Sequence, residues 1–524
     1  MIKRHGIVAA AGAAALVALA TACGSGGGSA AAGSGSAAAA QTLGIGLQTA
    51  IPSMNPVLNP VSPTLAYAYD PLIYLTDSGA YVPDLAVSWG YVGTGNVSFE
   101  LTLRPGVKFA DGTVLTAQAV KNSLDYFLKT PNPNLLSAGP VKSVQAIGAR
   151  TVRINYSRAF PNAAESLTQF YGIGLIIGPK GLASPKSLET VSDGVGQYSL
   201  DSGASRAGSM YTFTASKTYF NKAAVRYKSV QLRIYPSANS RLSALQSGQI
   251  QDATQIPVDQ VGTNAAGAFQ QYRGNTSWML VQFLNTTSGP LGSRAVRQAI
   301  EDSVDRAGIA KAFYSGFATP QDQFSPPGTA GYTPGLGTAY SFSPARARHL
   351  LSQAGYPNGF TLKLLDNAIA DPGGLLAQLF KSELAKVGIT VQLKVDSGTF
   401  AQFQQDLSSG GYGAVMWNMS SVDLYSTATQ TIVSPHTLLN PTSSADPTAV
   451  RLLAAAAVAS GAANVAAALQ RLNAYLTTQA LGVPIVTRTN VDLVSDSVRL
   501  PSDTYITPQA NMVGPEPGFE FGGK

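Results

Sequence analysis

The side chains able to do covalent or metal chemistry are few. The chain has one cysteine, Cys23, and three histidines, His5, His349 and His436. A serine hydrolase needs a nucleophile, an imidazole and an acid within reach of one another. No serine sits in a GxSxG turn, and His349 lies in the helical stretch ARARHLLSQAG, which offers no nucleophile elbow. No HExxH motif, paired-histidine spacing or phosphate loop occurs. One thiol cannot make an internal disulfide, a thiolate zinc site or an iron–sulfur site. The pattern argues against an exported hydrolase and against a resident cofactor, and leaves non-covalent binding as the chemistry. The first candidates for it are Trp417 and Asn418, which end the apolar run YGAVMWN.

The elements that position them alternate between two periods. FTLKLLD places Phe360, Leu362 and Leu364 on one strand face; GGLLAQLFKSELAKVG reads as a helix closed by Gly388; ITVQLKVD alternates again; TFAQFQQDLSSGG is helical; YGAVMWN is a strand. This β-α-β-α-β order predicts an α/β sheet covered by helices, with ligands beyond the carboxyl ends of its strands. Upstream, SFELTLRP, TVRINY, YTFTASKTY and SVQLRIYP read as strands, and Asp111-Gly112 in VKFADGTVL as a β-turn or hairpin between two short apolar runs. Thr116 caps a predicted helix bearing Val120, Leu124 and Phe127, Ser237–Gln249 reads as another stopped near Gly248, and Ser343-Pro344 opens one ending near Gly355. The Ala-rich stretch 452–469, broken at Ser460, Gly461 and Asn464, predicts a helical hairpin or a kinked helix.

The chain has 524 residues, 45% hydrophobic and 12% charged, enough to bury the cores of two or three lobes without disulfides. Its formal charge of +7 is diffuse, and no basic stretch is interleaved with aromatics, which argues against nucleic acid. MIKRHG followed by IVAAAGAAALVALA has the charged and apolar regions of an export signal, predicted over 1–22. Leu19-Ala20-Thr21-Ala22-Cys23 resembles a lipobox, although Ala20-Thr21-Ala22 also suits an ordinary A-x-A cut. The GSGGGSAAAGSGSAAAA stretch behind Cys23 is a flexible tether, so residues 23–41 read as a lipid-anchored linker and Cys23 as the acylated residue. That reading places the mature protein on the outer face of the cytoplasmic membrane.

The run IPSMNPVLNPVSPTLAYAYDPLIYLTDSGAYVPDLAVSW, then FELTLRPGVKFADGTVLTAQAVKNSLDYF, resembles the opening of the family 5 extracellular solute-binding proteins of ABC importers. The likeness continues through GVGQYSL, RLSALQSGQIQDA, LGSRAVRQAIEDSVDRAGIAKAFYSGFATP and ARARHLLSQAGYPNGF. It implies a two-lobed, periplasmic-binding-protein-like (Venus flytrap) fold with an extra inserted domain. Domain I would comprise 42–57, 197–284 and 499–524, domain II the insertion 58–196, and domain III residues 285–498. Crossing strands are expected near MLVQFLNTT (279–287) and Val494–Leu500. It also implies a monomer that captures a peptide-like or other small solute between its lobes and delivers it to the transmembrane permease subunits.

The resemblance assigns cleft positions as well. Trp417 matches a cleft tryptophan at a strand end; Met54 and Asn55 match a loop whose side chains reach the cleft, although Asn55-Pro56 is equally a simple turn; Asp423 matches the Asp of a DP pair, with Leu424 replacing Pro. In peptide-binding members an Asp three residues after the Trp pairs with the peptide ammonium, and here that place holds Ser420. A hydroxyl cannot neutralise a buried ammonium, so an amine-blocked cargo is expected. His436, in TIVSPHTLL, matches a histidine of the nickel-binding branch and opens the alternative of a nickel-chelate cargo.

Overall fold

The structure is a computed structural model describing residues 42–59, 62–132, 135–264, 268–315, 317–336, 340–368, 371–396, 400–420, 424–433, 445–502, 504–505, 512–515 and 518–521. Among them no helix is long and apolar enough to cross a membrane. Cys23, Asp423 and His436 lie outside the described residues.

Local sequence signals act where expected. At Asp111-Gly112 the Phe109 amide donates to the Thr113 carbonyl at 2.8 Å, while Gly112 takes a φ of 89° that a Cβ would strain. Thr116 caps the helix Ala117–Lys129, its hydroxyl accepting from the Ala119 amide at 3.1 Å, and Val120, Leu124 and Phe127 of that helix are buried. The helix packs against an antiparallel sheet ordered Ala86–Tyr91, Ser98–Leu103, Thr151–Tyr156, Val141–Ile147. The Ala-rich stretch forms two helices, Pro447–Val458 and Ala462–Thr478, with Gly461 at a φ of 79° between them.

The predicted β-α-β-α-β unit is present. Strands Thr361–Asn367, Thr390–Asp396 and Ala414–Ser420 alternate with helices Leu375–Ala385 and Phe400–Ser408. The three strands are parallel, with Thr361–Asn367 in the middle, Thr361 opposite Thr390 and Leu364 opposite Ala414. They belong to one twelve-stranded mixed sheet that continues into the first lobe, where Thr42–Leu47 lies parallel to Ser229–Ile234.

Two long antiparallel strands, Gln270–Phe283 and Gly482–Val494, join the lobes. On the first, Tyr272 lies in the core of the first lobe, and Met279, Val281 and Phe283 lie in a core of the second. On the second, Val483, Ile485 and Val486 share that second-lobe core, whereas Leu493 and Val494 pack in first-lobe clusters. Between them Arg488, Thr489 and Asn490 are only partly buried, and the ladder slips between Asn275 and Ser277. The crossing therefore lies near 275–277 and 488–490. The expected stretches 279–287 and 494–500 begin already inside one lobe: Val494 pairs with Asp252, and Met279, Leu280, Val281 and Phe283 pack in second-lobe cores. The resemblance set the crossings at 279–287 and 494–500; in the fold the partly buried polar stretch Arg488-Thr489-Asn490 stands between the core residues of the two lobes.

Candidate functional site

On the first lobe, the segment Phe160–Tyr171 is held by its own hydrogen bonds. The Tyr91 hydroxyl donates to the Phe160 carbonyl and accepts from the Ala163 amide at 3.2 Å. Burial pushes that phenol above the usual tyrosine range. The short helix Ala163–Ser166 places Glu165 inward, 5% exposed, where its Oε1 accepts from the Tyr171 hydroxyl at 2.9 Å. Tyr171 is followed by Gly172, whose Cβ would stand 2.3 Å from the Pro56 carbonyl oxygen. Only glycine permits that approach, so the Asn55-Pro56 turn lies directly behind this wall.

On the second lobe, strand Ala414–Ser420 leads, across residues outside the description, into Leu424–Thr427 and the π-helical turn Ala428–Ile432. Tyr425, Ser426 and Thr429 from this segment face Phe160, Asn162, Glu165 and Tyr171 across a cavity of about 710 Å³. Leu128, Leu135, Leu136 and Val141 make its apolar side. The volume suits a small solute, for which pockets of roughly 300–1,000 Å³ are usual. Asn162 Nδ2 donates across it to Ser426 Oγ at 2.6 Å.

The residues expected at the cleft are distributed unevenly. Trp417 sits in the strand opposite Leu280, partly buried, stacked on Phe403 with centroids 5.1 Å apart, and packs against two second-lobe clusters; like Tyr425 it borders the cluster around Trp278 and Phe324. Asn418 is partly buried opposite Met279. Ser420 ends the strand opposite Ser277, at the interlobe crossing itself. Met54 is 1% exposed within the first-lobe core. Asn55 is equally buried: its Nδ2 donates to Tyr126 Oη at 2.9 Å and its Oδ1 accepts from the Val57 amide at 3.0 Å, the Asx-turn arrangement of a turn residue. None of these lines the 710 Å³ cavity.

Two features went unread in the sequence. The Phe160–Tyr171 wall carries no motif, since its importance comes from facing Ser426. Asp366, at the carboxyl end of an apolar strand, is fully buried, and among the described residues no side chain hydrogen-bonds its carboxylate. Burial, reinforced by the nearby charge of Asp371, pushes its pKa up to about 8. An acid closing FTLKLLD was the available signal. Among the described residues no cluster of three or more His, Cys, Asp or Glu side chains could hold a metal.

Residues 80–434 match the family model for bacterial extracellular solute-binding proteins, family 5. The glutathione-binding proteins GsiB of Salmonella typhi and of Escherichia coli K12 are each 28% identical to the chain, over 323 and 320 residues; each match covers 59% of this chain and about 60% of the relative's length. Among solved structures, AgaA of A. tumefaciens R10 in complex with agropinic acid superposes with a TM-score of 0.71 at 24% identity, covering 88% of this chain and 94% of that one. NikA of Brucella suis with Fe(III)-EDTA gives 0.74 at 19% (88% and 97%), and DppA of Helicobacter pylori with the peptide STSA gives 0.69 at 20% (89% and 96%). These likenesses show a shared two-lobed fold.

Proposed function

The chain belongs to the family 5 bacterial extracellular solute-binding proteins, and we propose that it is the binding component of an ABC importer, capturing a small solute between its lobes and passing it to a membrane permease. The observation that carries this is the pairing of a two-strand crossing at 275–277 and 488–490 with a solute-sized cavity walled by both lobes. Such an arrangement lets a ligand that touches both walls favour the closed form, because contacts made only on closure shift the equilibrium. The three-segment division (42–57, 197–284 and 499–524; 58–196; 285–498) is part of the same proposal, with the crossings moved as described. So are a monomeric state and acylation of Cys23, which would tether the protein to the outer face of the cytoplasmic membrane through its Gly/Ser/Ala linker.

The cargo we propose is a peptide-like or otherwise amine-blocked molecule. Ser420 cannot neutralise an ammonium at the crossing; the cavity offers apolar surface beside amide and hydroxyl groups, and of its two charged side chains, Arg158 and Glu165, the carboxylate already accepts from the Tyr171 hydroxyl. On the second-lobe side Tyr425, Ser426 and Thr429 of the cavity wall are proposed to contact it, and Trp417, Asn418 and Ser420, on the strand that leads to that wall, are proposed to meet the part of the cargo that extends beyond the cavity. Native mass spectrometry of protein purified from its own host is the test: a stoichiometric small molecule retained under gentle ionisation and lost on unfolding is expected. Protein that carries nothing, and that no solute in a peptide, blocked-peptide and metal-chelate panel stabilises against heat, would sink the reading.

A further inference from the structure

The loop Val92–Val97 joins strands Ala86–Tyr91 and Ser98–Leu103 of the inserted domain and is built to present one side chain. Gly93 and Gly95 take φ values of 78° and 79°, and Asn96 itself takes 52°, a left-handed conformation that asparagine tolerates better than other residues carrying a Cβ. Asn96 is nonetheless 4% exposed, because its side chain enters the second lobe. There Nδ2 donates to the carbonyls of Ala457 and Ala459, at 2.9 and 2.8 Å. Both partners are acceptors, so the nitrogen must face them.

These carbonyls close the helix Pro447–Val458. Its last residues carry orphan acceptors and the negative end of the helix dipole. Ala459 is extended, at φ −62° and ψ 139°, in place of the left-handed glycine that often finishes a helix. The amide capping this helix end thus comes from the opposite lobe. The same loop is coupled to the cavity wall: the Phe160 amide donates to the Asn96 carbonyl at 3.0 Å, and two residues on, Asn162 reaches Ser426. A latch and a wall contact therefore stand on segments joined by a hydrogen bond, away from the crossing strands.

We propose that Asn96 is an interlobe latch, a positioning residue that biases the lobes toward the closed arrangement before any cargo arrives. The inference rests on the reading of the molecule as a two-lobed receptor that opens and closes, but not on what the cargo is, and its test uses cargo-free protein so that a wrong cargo leaves it intact. With two neutral hydrogen bonds of about 1 kcal/mol each, losing the amide should lower the closed-to-open ratio about thirtyfold.

Spin labels at the exposed positions Lys142→Cys and Lys381→Cys, in a Cys23→Ser background, report the lobe separation by electron–electron dipolar spectroscopy. Wild type stripped of cargo should show a dominant short distance. Asn96→Gly, which suits the left-handed backbone, should move most of that population to a longer one. Asn96→Asp puts a carboxylate against two carbonyls and should open the lobes further at pH 7.5. Below the ordinary carboxyl range its protonated form donates again, so the short distance should return in this variant while wild type at the same pH is unchanged. Cargo-free wild type without the short distance, or an Asn96→Gly ratio equal to that of wild type, overturns the latch. A distance distribution in Asn96→Asp that ignores pH does so as well, and Asn96→Gly alone decides the matter should the carboxylate variant not fold.

Discussion

Stability should fall as the pH rises from 5 to 8, and Asp366 supplies a measurable part of that slope. Its carboxyl is fully buried, has no side-chain hydrogen-bond partner among the described residues and lies near Asp371, with a folded pKa of about 8. In the unfolded chain the same group titrates at about 3.9. Between those values the folded protein holds a proton that the unfolded chain has released, so folding is favoured by acid and the contribution is lost as pH climbs through the folded pKa. The slope is about 1.4 kcal/mol per pH unit for one proton, or about 4 kcal/mol between pH 5 and 8. The buried pair Asp70 and Asp84 acts with the same sign: desolvation raises both pKa values, and the mutual repulsion raises Asp84 further. Asp366→Asn mimics the protonated acid without the titration. Urea unfolding of both proteins at pH 5, 6, 7 and 8 should show the variant gaining on wild type by about 1 kcal/mol or more per pH unit from pH 5 upward. A stability difference that stays constant from pH 5 to pH 8 would refute the assignment of a neutral Asp366.

Three further outcomes are expected. Trp417→Ala should cost about 3 kcal/mol in cargo-free protein, since the indole is mostly buried and stacked on Phe403, whereas Trp417→Phe keeps the stack and should cost about 1 kcal/mol or less; calorimetric titration with the recovered cargo should then show weakened binding in the Phe variant, and wild-type affinity there would make Trp417 a packing residue alone. A thermal-shift panel should show N-acetylated peptides stabilising the protein and free-amine peptides failing to, with Ser420→Asp gaining response to the latter; strong stabilisation of wild type by free-amine peptides would show the hydroxyl at Ser420 to be immaterial. Cys23→Ser should release the protein from membranes with unchanged folding, and equal retention of both forms on fractionation would exclude the anchor.

What the sequence determined by itself is everything that depends on neighbours along the chain. The period of two in FTLKLLD and ITVQLKVD, the glycine stop at Gly388, the cap at Thr116 and the helix starts at Ser237 and Ser343-Pro344 are local physics, and the elements formed where those signals stood. The order of quoted segments from IPSMNPV to YGAVMWN was enough for the family and hence the two-lobed architecture. What only the tertiary structure decided is everything that depends on which segments meet. Asn55 sits in a turn whichever way its side chain points; that it spends its amide on Tyr126 follows from residue 126 folding back against it. Trp417 was read as the cleft residue from its strand end, yet the helix Phe400–Ser408 covers one of its faces with Phe403, a contact that no strand periodicity encodes. Asn96 and Ala459, or Asn162 and Ser426, are separated by hundreds of residues and carry no mutual pattern. Hydrogen bonds between lobes depend on how two separate cores are set against each other, and that placement is made by the pairing of two long strands whose polar midpoint is short and easily passed over in the sequence.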